Sequence, residues 1–260
     1  MDRRTPGPVA ATGQEVYLLG RHGHSRAQNR LLEGVPQPQY QRLVPHLETK
    51  SVAPGQVLHR AGQPVHRVYF PSGGVFSVTR TLPDGTMVEA AIVGREGILG
   101  IEACFGADVP ALGDALLQIA DGQLTSLPTD VFRRELVTAE ALQGVVWRYL
   151  HAFLGTVMQC AACNALHGVQ RRCARWLLMA HDRMPGGQFR LSHEMLAAVL
   201  GVTRPTVTLA ASKLQEAGLI TYVHGQVRIL DRRRLEAVTC VCYFLIRRLF
   251  EPTWPSRSKA

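Results

Sequence analysis

The sequence predicts an α+β protein with a small antiparallel β-barrel or jelly roll, one long helix and a C-terminal winged helix-turn-helix. Three patterns predict it. Between Lys50 and Leu127, short β-rich runs are punctuated by turn residues at intervals of about ten. From Leu142 to Cys163, apolar residues recur at alternating spacings of four and three. From Leu191 to Leu230, two short helical patterns flank a glycine and lead into two β-rich stretches. At 260 residues and 46% hydrophobic composition the chain can bury two modest cores. The expected organisation is an arm over residues 1–28, a barrel over 29–138, a dimerisation helix over 139–167, the winged helix over 168–250 and a tail over 251–260.

The first segment is rich in Gly, Pro, Arg and His and has no sustained period, so it is expected to be a mobile arm. His22 and His24 are a candidate metal pair, although an exposed pair in such a segment more often binds nothing specific. A short helix is expected around Gln39 to Leu47. In the β-rich region, Asp84-Gly85 lies between two apolar runs and signals a hairpin. After Pro128-Thr129-Asp130 the texture turns helical.

The long helix carries one stripe through Leu142, Val146, Tyr149, Phe153, Thr156, Cys160 and Cys163. A neighbouring stripe runs through Val146, Leu150, Phe153, Val157 and Cys160. One can face the barrel while the other meets a second subunit, and a single broad core face is the alternative. The dimer contact is expected to use Leu142, Val146, Tyr149, Phe153, Val157 and Cys160.

In the helix-turn-helix, Ser192 can cap a helix whose apolar positions are Leu196, Ala197, Val199 and Leu200, and Gly201 ends it. Thr203 is placed to cap the second helix, where Pro205 is tolerated because its missing N–H had no intrahelical partner. Ala197, Gly201 and Val207 supply the small contact, the turn and the apolar tie. Gly218 and the run Leu219 to Leu230 read as a two-stranded wing. Charge follows this division. Residues 168–260 hold 15 Lys and Arg against 6 Asp and Glu, whereas residues 1–167 are balanced at 14 each, so the whole net charge of +9 lies in the helix-turn-helix half. That confinement favours a polyanion, double-stranded DNA. A homodimer would double the base contacts one motif can make. No apolar run approaches the roughly 20 residues of a membrane span. With no secretory signal either, no membrane role is expected and the cytoplasm is the expected location.

The order barrel, long helix, winged helix resembles the Crp/Fnr family of bacterial transcription regulators. The resemblance covers residues from about 35 to 250. It is carried by PSGGVFSV and GREGILG in the barrel, RRCARWLLMAHDR after the long helix, and LSHEMLAAVLGVTRPTV. It implies a cyclic-nucleotide-binding-type barrel that senses an effector and a homodimer on a palindromic site, with RNA polymerase as a further partner if the protein activates. The cofactor stays unknown. Arg95, Glu96 and Gly97 form the implied effector pocket, with Glu96 matching the acid that holds ribose. Gly113, Asp114 and Ala115 stand where an arginine and a hydroxyl would hold the cyclic phosphate, so cyclic nucleotide binding is not expected. No cysteine precedes Cys104, which disfavours an N-terminal iron–sulfur cluster.

The resemblance also assigns the DNA face. Arg204 matches a guanine-reading arginine, Pro205 stands where many members have glutamate, and Leu209 and Thr208 can touch a thymine methyl. Thr203, Thr206, Lys213 and Arg228 are candidate phosphate contacts. Cys160, Cys163, His167 and Cys173 raise the option of metal or thiol chemistry, packing being the leading reading, and Cys240-x-Cys242 reads as core of a terminal helix with sulfurs projecting to different sides. Competing readings are a cyclic-nucleotide-responsive regulator, a redox sensor using Cys160, Cys163 and His167, a ligand or metal module that binds no DNA, and a Cys/His enzyme. No catalytic spacing supports the last.

Overall fold

The computed structural model describes residues 28–184 and 186–251. The expected arm, with His22 and His24, falls outside the described residues except for Gln28, and the tail does so except for Glu251. The described chain opens with α1 (Arg30–Glu33) and α2 (Gln37–Leu43). Buried Asn29 sets this entry: its Oδ1 accepts from the Leu31 and Leu32 amides while its Nδ2 donates to the carbonyls of Pro71 and Gly97. The helix expected to reach Leu47 gives way to a 3-10 turn at Val44–His46, because Pro45 has no N–H to continue the ladder.

Five antiparallel strands form one sheet: β1 (Glu48–Val52), β2 (Val57–His59), β3 (Arg67–Thr81), β4 (Met87–Val93) and β5 (Asp114–Pro128). The order is β1-β5-β3-β4, with β2 also on β5. The β3–β5 register shifts repeatedly between Pro71 and Phe76, and such shifts let two long strands curl. Gly74 sits in that stretch at φ +80°, where a Cβ would lie 2.8 Å from Leu117 Cδ1. The Asp84-Gly85 hairpin forms, with Gly85 at φ +84° and the Asp84 carboxylate accepting from the Thr86 amide.

After α3 (Thr129–Thr138) comes the long helix α4 (Glu140–Leu166). Its first predicted stripe is turned inward: Leu142, Val146, Tyr149, Thr156, Cys160 and Cys163 are buried within their own chain. This corrects the expected dimer contact at Leu142, Val146, Tyr149 and Cys160, which own-chain packing consumes, while Phe153 and Val157 stand half-buried at the border. The side turned outward runs through Trp147, His151, Leu154 and Met158, with Leu154 60% and Met158 65% exposed.

The DNA-binding half contains α5 (Val169–Arg183), β6 (Gln188–Arg190), α6 (His193–Leu200), α7 (Arg204–Glu216), β7 (Ile220–Val223), β8 (Gln226–Ile229), α8 (Arg232–Val238) and α9 (Cys242–Leu249). The wing has three strands rather than two, ordered β6-β8-β7; β6 is too short for alternation to announce it. The expected terminal helix is broken at Thr239–Val241, and α9 folds back on α4, where Leu249 meets Gly155. The two halves share one core that includes Phe132, Tyr149, Trp176 and Tyr243. Among the described residues no single helix is long and apolar enough to cross a membrane.

Candidate nucleic-acid interface and sensor cavity

The helix-turn-helix is built from local rules. Ser192 Oγ accepts from the Met195 amide and starts α6, and Gly201 at φ +61° ends it. Thr203 takes the extended backbone of an N-cap but makes no capping bond; its Oγ1 pairs with Thr206 Oγ1 at 2.9 Å. The expected Thr203 cap is therefore absent, since the hydroxyl is spent on a neighbouring hydroxyl. Buried Ala197 and Val207 hold the two helices together. This packing leaves Arg204, Pro205, Thr206, Thr208, Leu209 and Lys213 on one exposed side of α7. Leu209, 60% exposed, is apolar surface left open among the described residues.

Arg204 is held beside α6 by Glu194, Nη1 to Oε1 2.9 Å, in a pair exposed on both sides. Thr208 Oγ1 lies 2.9 Å from His193 Nδ1 and also donates to the Arg204 carbonyl. Arg228 is exposed on β8, in the centre of the wing. Thr206, Leu209 and Lys213 also line a groove of about 410 Å³ shared with His167 and Arg171 where α4 passes into α5.

Of the residues expected to form the effector pocket, Arg95 and Glu96 line a cavity of about 590 Å³ together with Arg30, Gly73, Asp121 and Arg183, and Gly97 is not on its wall. Glu96 is 2% exposed, and its Oε1 accepts from the Gly94 amide and from Arg183 of α5. Its charge is thus neutralised inside the chain. Gly97 packs under Tyr149, whose ring would lie under 3 Å from an added Cβ, and Arg95 turns to the Gln28 carbonyl and Glu33. Asp114 is likewise occupied, accepting from the Ala61 amide at 2.8 Å.

A second cavity, of about 510 Å³, lies between the sheet and α4. Its wall is mainly apolar and aromatic and includes Ile98, Phe105, Leu112, Trp147, Leu150 and Phe153. The polar groups are few. Glu102 accepts from the Leu112 amide, Arg80 donates to the Leu112 carbonyl, and His59 Nδ1 has no hydrogen-bond partner. Burial lowers the His59 pKa, favouring the neutral imidazole. Ile98, Leu99 and Gly100 of the GREGILG segment and Gly113 are on this wall, but sequence reading centred the pocket on Arg95–Gly97 because the remaining residues come from β2, β3, β4, the 3-10 turn at Ile101–Cys104 and α4, which only the fold brings together.

Of the singled-out cysteines, Cys160 accepts from Arg175 Nη1 at 3.0 Å, and burial pushes the Cys173 thiol up to about 12. Cys163 and His167 instead meet Cys240 and Cys242. The latter pair corrects its expected divergence: Cys240 sits in the link before α9 and Cys242 opens α9, so both sulfurs turn to the same neighbours.

Residues 49–138 match the family model of the cyclic nucleotide-binding domain, and residues 171–238 match that of the Crp-like helix-turn-helix domain. The chain belongs to the Crp/Fnr family of transcription regulators. Similar curated proteins include the "CRP-like cAMP-activated global transcriptional regulator" of Mycobacterium tuberculosis, 24% identical over 79% of this chain and 94% of that one. The "Global nitrogen regulator" of Synechococcus elongatus is 23% identical over 71% of this chain and 86% of its own length. FixK2 from Bradyrhizobium japonicum shares the fold with a TM-score of 0.65, at 18% identity over 75% of this chain and 98% of that structure. The protein is thus a Crp/Fnr-type transcription regulator with a helix-turn-helix DNA-binding domain and a cyclic-nucleotide-binding-like sensor domain, in a family of regulators rather than enzymes.

Proposed function

We propose that the protein acts as a homodimer that binds a palindromic DNA site through two copies of α7 and responds to a largely apolar effector in the cavity between the sheet and α4. The observation that carries this reading is the shared position of Trp147 and Leu154, which line the cavity and also stand on the outward side of α4. A second copy laid along that side buries apolar surface and lies against the effector site, so occupancy changes the fit of the two helices. Arg204, Pro205, Thr208 and Leu209 meet base edges in this reading, and Thr203, Thr206, Lys213 and Arg228 meet phosphates. RNA polymerase is a partner if the protein activates transcription, and a DNA-bound regulator of this kind resides in the cytoplasm.

Cyclic nucleotide is a poor fit for the cavity. Arg80 is the guanidinium on its wall and is already tied to the Leu112 carbonyl, which leaves the cyclic phosphate without a free cation there. An apolar ligand with one polar group for His59 suits the wall better. The test is selection of bound duplexes from a random pool, followed by calorimetric titration of the complex with cyclic AMP and cyclic GMP. The expected result is an inverted repeat, and no saturable heat from either nucleotide up to about 1 mM. Selection of a single half-site sinks the dimer reading. Micromolar nucleotide binding that tightens the operator complex sinks the apolar-effector reading.

A further inference from the structure

We propose that Cys163, His167, Cys240 and Cys242 form a tetrahedral binding site for a soft divalent cation of the zinc class, fastening the C-terminal helix to the end of α4. Three sulfurs and one imidazole nitrogen lie within 4.8 Å of one another. Cys163 Sγ is 3.5 Å from Cys240 Sγ, and Cys242 Sγ is 3.5 Å from His167 Nδ1. Around a zinc ion with bonds of about 2.3 Å to sulfur and about 2.0 Å to nitrogen, neighbouring ligand atoms stand roughly 3.5 to 3.8 Å apart. These two contacts are already close to that spacing, and no pair must close by more than about 1 Å, within the reach of side-chain rotation.

The chain brings these donors together from two places. Cys163 is in the last turn of α4 and His167 caps its end, while Cys240 lies in the link between α8 and α9 and Cys242 begins α9. Three of the four are buried and His167 is half-buried. Packing alone explains three small sulfurs in a core. It does not explain why an imidazole nitrogen joins them.

The surroundings fit a bound cation in two further ways. Gln159 Nε2 donates to Cys242 Sγ at 3.1 Å, the kind of outer hydrogen bond that orients a thiolate ligand. Arg172 and Arg175 on α5 are buried within electrostatic range of Cys163 and Cys240; the Nε of each has no hydrogen-bond partner among the described residues, Arg172 Nη2 donates to the Leu200 carbonyl, and Glu89 is the carboxylate that acts on Arg175 from a distance. Neither forms a salt bridge with a carboxylate among the described residues. Buried guanidiniums need nearby negative charge. Three thiolates and a neutral imidazole around a dication carry a net charge of −1, which supplies it. His167 also lines the groove beside Thr206 and Lys213, which gives the ion a route in.

The test uses the full-length protein, treated with chelator and reductant and titrated with Co2+, then with Zn2+. The expected result is one cobalt per chain, with thiolate-to-cobalt charge transfer and the intense visible bands of a tetrahedral site, both abolished when zinc displaces cobalt. His167→Ala and Cys242→Ser should each weaken the metal at least about tenfold. Cys173→Ser should bind as the parent does. Circular dichroism and operator affinity confirm that each variant is folded, and operator binding reports on the DNA-reading assignment independently of metal content. Absence of cobalt bands overturns the proposal. So does an unchanged spectrum in folded His167→Ala and Cys242→Ser, or a Cys163–Cys240 disulfide in protein that takes up no metal after reduction.

Discussion

Glu96 on the loop after β4 and Arg183 at the end of α5 form a fully buried ion pair that joins the sensor sheet to the DNA-binding half. Glu96 Oε1 accepts from Nε and Nη2 of Arg183, each at 2.7 Å, and the two side chains are 2% and 3% exposed. Arg183 Nη1 also donates to the Met179 carbonyl, so the guanidinium is fixed at both ends.

Removing one partner leaves the other charge buried and unpaired. Arg183→Met is therefore expected to cost about 3 to 5 kcal/mol, read as a lower urea midpoint. Replacing both residues together, Glu96→Leu with Arg183→Met, should recover much of that loss. A single-variant cost below about 1 kcal/mol would mean that the pair is hydrated in solution.

Glu89 gives the same contact between halves a pH dependence. It sits on β4, accepts from Trp176 Nε1 of α5 at 2.8 Å and is bonded to Ser77 Oγ. Burial raises its pKa from 4.5 to about 7, against the opposing effect of those donors. Below about pH 4.5 the carboxyl is protonated in both folded and unfolded chains, and between about 4.5 and 7 only the folded chain holds the proton. Its contribution to stability is thus full below the lower value and lost as pH rises to the upper one. The loss is about 1.4 kcal/mol per pH unit, or about 3 kcal/mol in all. Glu89→Gln should flatten this part of the profile and raise stability at pH 8 relative to the parent. Parallel pH profiles for the two proteins would remove Glu89 from this role.

How much of this was readable in advance differs from element to element. The hairpin at Asp84-Gly85, the limits of α4 and the packing of Ala197, Gly201 and Val207 follow from turn chemistry and period, which act over a few residues. The third wing strand and the direction of the α4 stripes depend on neighbours remote in sequence. Residues at 142, 146 and 149 and those at 147, 154 and 158 both have the spacing of a helix face, so only tertiary packing decides which is covered. The ion pair of Glu96 is hidden from the sequence for a similar reason: its partner Arg183 comes 87 residues later. The Cys240-x-Cys242 pair was misread because a continuous helix was assumed through Thr239–Val241, where the chain in fact turns.

The outward side of α4 makes a separate prediction. Leu154→Asp places a charge on the proposed seam without entering the core, and should shift sedimentation from dimer to monomer at micromolar concentration. Thermal stability of the isolated subunit should change little, because Leu154 is 60% exposed. The same charge should lower operator affinity far more than affinity for a single half-site. A dimeric Leu154→Asp protein would place the subunit contact elsewhere.

The DNA surface yields the last prediction. Arg204 has its guanidinium free of the core and is restrained by Glu194 in an exposed pair that solvent screens, so a guanine edge can take it. Arg204→Ala should then cost about 1 to 3 kcal/mol on the selected operator and much less on random duplex. Lys213, at the far end of the same exposed side, should behave differently. Its replacement by alanine should weaken all duplexes alike and reduce the slope of log affinity against log salt by about 0.9. Glu194→Gln removes a carboxylate from the proposed DNA face and should tighten specific and random binding together by less than about fivefold. Fluorescence anisotropy on operator and scrambled duplexes across a salt series separates the three effects. Equal losses for Arg204→Ala on both duplexes would make Arg204 a phosphate contact and leave Thr208 and Leu209 as the remaining candidates for sequence reading.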